Sequence, residues 1–90
     1  MRQIFAVGTK GRAKGPAQWV TSYKLAFSSD GTSWSFYKLD GTEVVFTGNT
    51  DIDTEVRNAL EIPVTARYVR FHPLTWNGHP TMRVEVYGVK

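Results

Sequence analysis

The apolar positions of this chain alternate over short stretches and never settle into a helical period. No segment holds an apolar spacing of about 3.6 residues for three turns, so the pattern predicts strands. The clearest alternations are two. Over Val20 to Ser28, Tyr23, Leu25 and Phe27 point one way and Ser22, Lys24 and Ala26 the other. Over Thr81 to Tyr87, Met82, Val84 and Val86 oppose Arg83, Glu85 and Tyr87. Gln3 to Gly8 is a short strand, apolar on both faces through Ile4, Phe5 and Val7. Trp34 to Lys38 follows the turn Ser29-Asp30-Gly31, which predicts a hairpin with the preceding strand. Glu43 to Thr47 follows a second Asp-Gly pair, Asp40-Gly41, and Arg67 to His72 is rich in aromatic and β-branched residues.

Two stretches read as loops. Gly8 to Gln18 holds three glycines and a proline, and Gly48 to Asn58 is polar, with Asp51, Asp53 and Glu55. Trp76-Asn77-Gly78-His79-Pro80 is a short turn. Short strands punctuated by glycine turns predict an antiparallel sandwich or barrel.

Composition limits how such a fold is held together. Ninety residues amount to one domain, and a core of this size is marginal without support. The chain has no cysteine, which excludes disulfides and thiolate metal sites. Packing or association must do the work. The net charge of +3 is mild, but Lys10, Arg12 and Lys14 fall within one loop. Such a cluster attracts anionic lipid headgroups, sulfated glycans or nucleic acid, or is simply a solvated loop. No apolar run is long enough for a helical membrane span, no signal peptide is visible at the N-terminus, and no N-glycosylation sequon occurs.

Specific strings narrow the fold. Gln18-Trp19-Val20-Thr21-Ser22-Tyr23-Lys24-Leu25, then Ser28, Asp30, Gly31 and Trp34, stand in order with Gly48-Asn49-Thr50-Asp51, Val56, Asn58 and Pro63. Ala66-Arg67-Tyr68-Val69-Arg70, Pro73, Trp76 and Met82-Arg83-Val84-Glu85-Val86-Tyr87-Gly88 follow. The chain resembles the discoidin, or coagulation factor 5/8 type C, domain, and specifically its C-terminal portion. The resemblance implies an all-β, antiparallel β-sandwich of jelly-roll type, spanning residues 1–90 as a single shortened domain. It also implies that the N-terminal strands, two of three ligand loops and the end-to-end disulfide of the family are absent. A sandwich short of strands exposes sheet edges and an apolar face. A homo-oligomer in which a second copy completes the sandwich is therefore expected.

The resemblance implies a non-enzymatic binding module, extracellular or at the cell surface. Its ligand would be a glycan first and an anionic lipid headgroup, with peripheral membrane contact, second. Nucleic acid is not among the implied partners. A self-assembling fragment with weak or no ligand binding is the third alternative. The expected ligand residues are Lys10, Arg12, Lys14, Trp19, Trp76, Asn77 and His79. The Gly8–Gln18 loop matches a ligand loop of the family, but its tip carries only Ala13 and no large apolar residue. Trp19 closes that loop, either stacking on a ligand or packed at a strand end. The Trp76–Pro80 turn shares its rim, where Asn77 and His79 offer hydrogen bonds. Trp76 itself is expected to be a buried packing residue in such a sandwich.

Other candidates favour structure over chemistry. Arg83 and Glu85 share a face, which predicts a structural ion pair, and His72 is expected to be structural. Asp51, Asp53 and Glu55 alternate like cation ligands but lack the glycine and distal glutamate of an EF-hand loop, so a solvated loop is preferred. No cofactor and no metal are expected. No cysteine nucleophile, G-x-S-x-G elbow, H-E-x-x-H pair or phosphate-cradling glycine motif is present, which argues against an enzyme.

Overall fold

A computed structural model of the chain describes residues 1–89. Among these, nine strands and no helix form. They are β1 (Arg2–Lys10), β2 (Trp19–Ser28), β3 (Ser35–Phe36), β4 (Lys38–Leu39), β5 (Thr42–Glu43), β6 (Phe46–Thr47), β7 (Val56–Ala66), β8 (Tyr68–Asn77) and β9 (Arg83–Val89). One sheet has the order β7-β1-β9, all antiparallel. In the other, β2 is central, with β8 along one side and the short β3 and β6 also paired to it.

The expected hairpin after β2 forms, with Ala26 opposite Phe36 and Phe27 opposite Ser35. The strand expected over Trp34 to Lys38 is then interrupted, because β4 pairs with β5. Asp40 and Gly41 make that turn with φ of 51° and 77°. Positive φ at both central positions is what a tight hairpin needs, and an Asp-Gly pair supplies it. The strand expected over Glu43 to Thr47 is likewise split into β5 and β6. The Val56–Ala66 strand was not foreseen from alternation.

The two sheets pack face to face. Ile4 and Val7 of β1 and Leu60 and Ala66 of β7 meet Val20, Tyr23, Leu25 and Phe27 of β2, with Tyr37 and Phe46. The ring of Tyr23 stacks on Phe46 at 5.5 Å between centroids. Burying these side chains removes apolar surface from water and stabilises the fold.

The two lateral seams of this sandwich differ. On one, β7 is stitched to the opposite sheet. The Tyr37 hydroxyl donates to the Ile62 carbonyl at 2.9 Å and accepts from the Ile62 amide at 3.0 Å. The Asn58 amide donates to the Tyr23 hydroxyl at 3.1 Å and to the Thr47 carbonyl at 2.9 Å. On the other seam, among the described residues, β8 pairs only with β2 and β9 only with β1. Between them lies a cleft of about 340 Å³, reaching Ile4, Val69 and Val86 and rimmed by Arg2, Arg67 and Tyr68. Tyr68, Leu74, Trp76, Val84 and Val89 are exposed on these two edge strands.

Candidate functional site

β1 and β2 are joined by a loop over residues 11–18, and β8 and β9 by a turn over 78–82. The structure brings these connections side by side. The Asn77 amide donates to the Ala17 carbonyl at 3.3 Å, and the Thr81 hydroxyl donates to Gln18 Oε1 at 3.1 Å. Arg12 donates to the same Gln18 oxygen at 3.1 Å, and the Arg12 amide donates to the Gln18 carbonyl at 2.8 Å. Gln18 is buried and therefore ties loop to turn, a part that residue type alone did not reveal.

A third loop, residues 48–55, backs this rim. The Gly11 amide donates to the Ile52 carbonyl at 3.1 Å. Asn49, buried, donates to the carbonyls of Thr9 at 2.7 Å and Thr54 at 3.0 Å. Arg83 donates from Nε to the Gly11 carbonyl at 2.8 Å and from Nη2 to the Ile52 carbonyl at 2.7 Å. Its carboxylate partner is Asp53, at 3.4 Å, and not Glu85 as the shared strand face predicted. The two loop carbonyls are acceptors held in place by the backbone, and their fixed geometry suits the planar donors of the guanidinium. Arg83 is thus a clamp between loops.

Most of the expected ligand residues gather at this rim. Asn77 lies directly opposite Trp19 in the β2–β8 register, and Trp76 opposite Val20. Trp19 is half-buried. Trp76 is 47% exposed, which corrects the expectation of a buried packing residue. The reason is topological: β8 has a single neighbour, so nothing covers its free edge. Asn77, His79 and Lys14 are exposed as well. Arg12 is half-buried and engaged with Gln18, so Lys14 is the loop's free cation among the described residues. Lys10 departs from this group. It lies at the end of β1, opposite Arg83, and lines a depression on the outer face of the first sheet.

The loop acids do not converge. Asp51 accepts from the Thr54 amide at 2.7 Å and the Asp53 amide at 3.1 Å, which holds its carboxyl below the usual range. Asp53 turns to Arg83, and Glu55 accepts from the Tyr87 hydroxyl at 2.6 Å. His72 lies edge-on to Phe36 at 5.0 Å between ring centroids, and Arg70 stacks 4.0 Å over Trp34.

Residues 1–86 match the F5/8 type C domain family. The chain is 42% identical over 88 residues to lactadherin of Rattus norvegicus, a match covering 97% of the chain and 21% of that protein. Lactadherin of Mus musculus is also 42% identical over 88 residues, with 97% and 19% covered. The solved structure of discoidin II of Dictyostelium discoideum aligns with a TM-score of 0.86 at 32% identity, covering 99% of the chain and 34% of that protein. The chain thus spans about a fifth of the length of these curated relatives and about a third of the solved one.

Proposed function

The chain belongs to the F5/8 type C, or discoidin, domain family, and from that premise we propose that it is a non-catalytic binding module for glycans outside the cell or at its surface. The observation that carries this reading is the exposure of Trp76 at the rim. An indole 47% open to solvent offers an apolar face on which a sugar ring stacks. Asn77 and His79 follow it in the chain, and Trp19 lies opposite Asn77. The 11–18 loop, bonded to Asn77 through Ala17, brings Arg12 and Lys14 to the same rim. Stacking on an aromatic with hydrogen-bonding groups beside it suits a hydroxyl-rich ligand. The loop tip, with Ala13, Gly15, Pro16 and Ala17, has no large apolar side chain to enter a bilayer. Anionic phospholipid is therefore the second reading, resting on the cations Lys10, Arg12 and Lys14.

A glycan array and a vesicle pull-down separate these readings. Array binding that free sugar competes away, and that falls by about tenfold or more in Trp76→Ala, supports the glycan. Binding to phosphatidylserine vesicles that fades with salt, survives Trp76→Ala and is lost in Lys14→Glu moves the assignment to lipid. Silence in both assays rejects both.

The open seam favours self-association as a further part of this reading. Two unpaired strand edges with exposed Tyr68, Leu74, Val84 and Val89 form a surface that a second copy can cover. A dimer or higher oligomer in light scattering at low micromolar concentration is expected, and a stable monomer there removes it. Assembly multiplies weak rim sites, which raises avidity for a multivalent glycan.

A further inference from the structure

Gly8 lies in the interior of β1, the central strand of its sheet, with Arg57 opposite on β7 and Glu85 opposite on β9. Glycine inside a strand weakens it and marks a place where another group approaches the backbone closely. Here that group is Glu55. A Cβ at position 8 would stand 2.8 Å from both Cδ and Oε2 of its carboxylate. The carboxylate lies over the bare strand and is held there. Tyr87 donates its hydroxyl to Oε2 at 2.6 Å, Arg57 Nε stands 3.8 Å from the same oxygen, and the Arg57 guanidinium stacks 3.9 Å over the Tyr87 ring. The core does not require this arrangement, since it lies on the far side of the sheet from Val7 and Thr9.

Around the held carboxylate is a depression of about 220 Å³, lined by Gly8, Lys10, Glu55, Arg83, Val84 and Glu85. Its charges balance, with two cations against two carboxylates. Lys10 makes no ion pair among the described residues, and the Glu85 carboxylate meets only the amide of Val86, at 3.3 Å. Donors and acceptors therefore stand unused around one opening. A wall of zero net charge has little long-range pull on an anion. A hydroxyl, which donates to a carboxylate and accepts from an ammonium, satisfies both kinds of group at once.

We propose that this depression is a second binding site, for a single uncharged sugar ring or an equivalent polyol. It stands apart from the rim at Trp76, and of the rim candidates only Lys10 lines it. Glu55 is the fixed acceptor, Lys10 the donor, and Gly8 the absence that lets the carboxylate lie flat.

The test is an amide-shift titration of isotope-labelled protein with methyl glucoside, galactoside and mannoside, and separately with inorganic phosphate. At least one hexoside is expected to move the amides of Gly8, Glu55 and Glu85. Glu55→Gln and Lys10→Ala should each weaken that binding by about tenfold, roughly one unit in log Kd. Gly8→Ala, which displaces the carboxylate, should do the same. Trp76→Ala should leave it unchanged even if it abolishes glycan binding at the rim, so failure of either site is distinguishable. The dispersed spectrum of each variant reports that it is folded. The proposal is overturned if no hexoside moves these amides, if Glu55→Gln and Lys10→Ala bind as tightly as the parent, or if phosphate competes for the same shifts.

Discussion

The two seams of the sandwich close in different ways. At the β6–β7 seam, aromatic side chains fill the space between sheets and then spend their hydroxyls on the opposite strand: Tyr37 on Ile62, and Tyr23 on Asn58. At the β8–β9 seam, Val69 and Val86 are only partly buried and two strand edges have no partner among the described residues. One seam combines packing with directional bonds and so specifies a register. The other offers apolar surface without direction. The lesson is that directional bonds and open edges lie on opposite sides of one small core.

That contrast is open to direct attack. The largest effect is expected at Tyr23, fully buried and in contact with both Phe46 and Phe71. Tyr23→Ala should cost about 3–5 kcal/mol, a large part of the stability of a small domain, measured by urea unfolding. Tyr37→Phe keeps the ring but strips two hydrogen bonds from the Ile62 backbone, and should cost about 1–2 kcal/mol. Across the sandwich, Val69→Ala should cost less than either, about 0.5–1 kcal/mol, because its side chain is only half-buried. If Val69→Ala proves as damaging as Tyr23→Ala, the seams are equivalent and the contrast fails.

The smallest effect is titration. Burial raises the Tyr23 phenol above its ordinary value of 10.0, while the Asn58 amide pulls it partly back. A raised pKa in the folded state means that the unfolded chain ionises first. The contribution is complete below pH 10 and is lost as pH rises through the folded value. Unfolding should therefore become easier in alkali, and Tyr23→Phe should flatten that dependence. An identical alkaline loss in Tyr23→Phe assigns it elsewhere.

The closed seam was only half legible in the sequence. Alternation placed Tyr23, Leu25 and Phe27 on one face, and all are buried. It did not reveal β7, whose apolar contrast is blurred by Asn58 and Pro63. Asn58 lies there because it bonds Tyr23, and Pro63 is tolerated because β7 is an edge strand. For the same reason β8 runs past Pro73 to Asn77, five residues beyond the expected end. Edge strands break the rules by which strands are recognised. At the site, the ordered motifs placed the loop and the turn on one rim, but Gln18 and Arg83 act through backbone carbonyls and each other's loops, which no residue type announces. Gly8 reads in the sequence as the end of its strand and the start of the loop; because β1 runs on to Lys10, it lies inside the strand, and its meaning appeared only with Glu55.

The pairing of β1 also governs how the chain reaches this state. β1 is made before both of its sheet neighbours, β7 and β9. During synthesis Ile4 and Val7 have no strand partner until β7 has emerged. Contacts so distant along the chain close slowly, on the order of milliseconds to seconds for sheets of this kind. Within this sheet, β1 therefore stays unpaired until β7 is made, and its second edge is covered only later by β9.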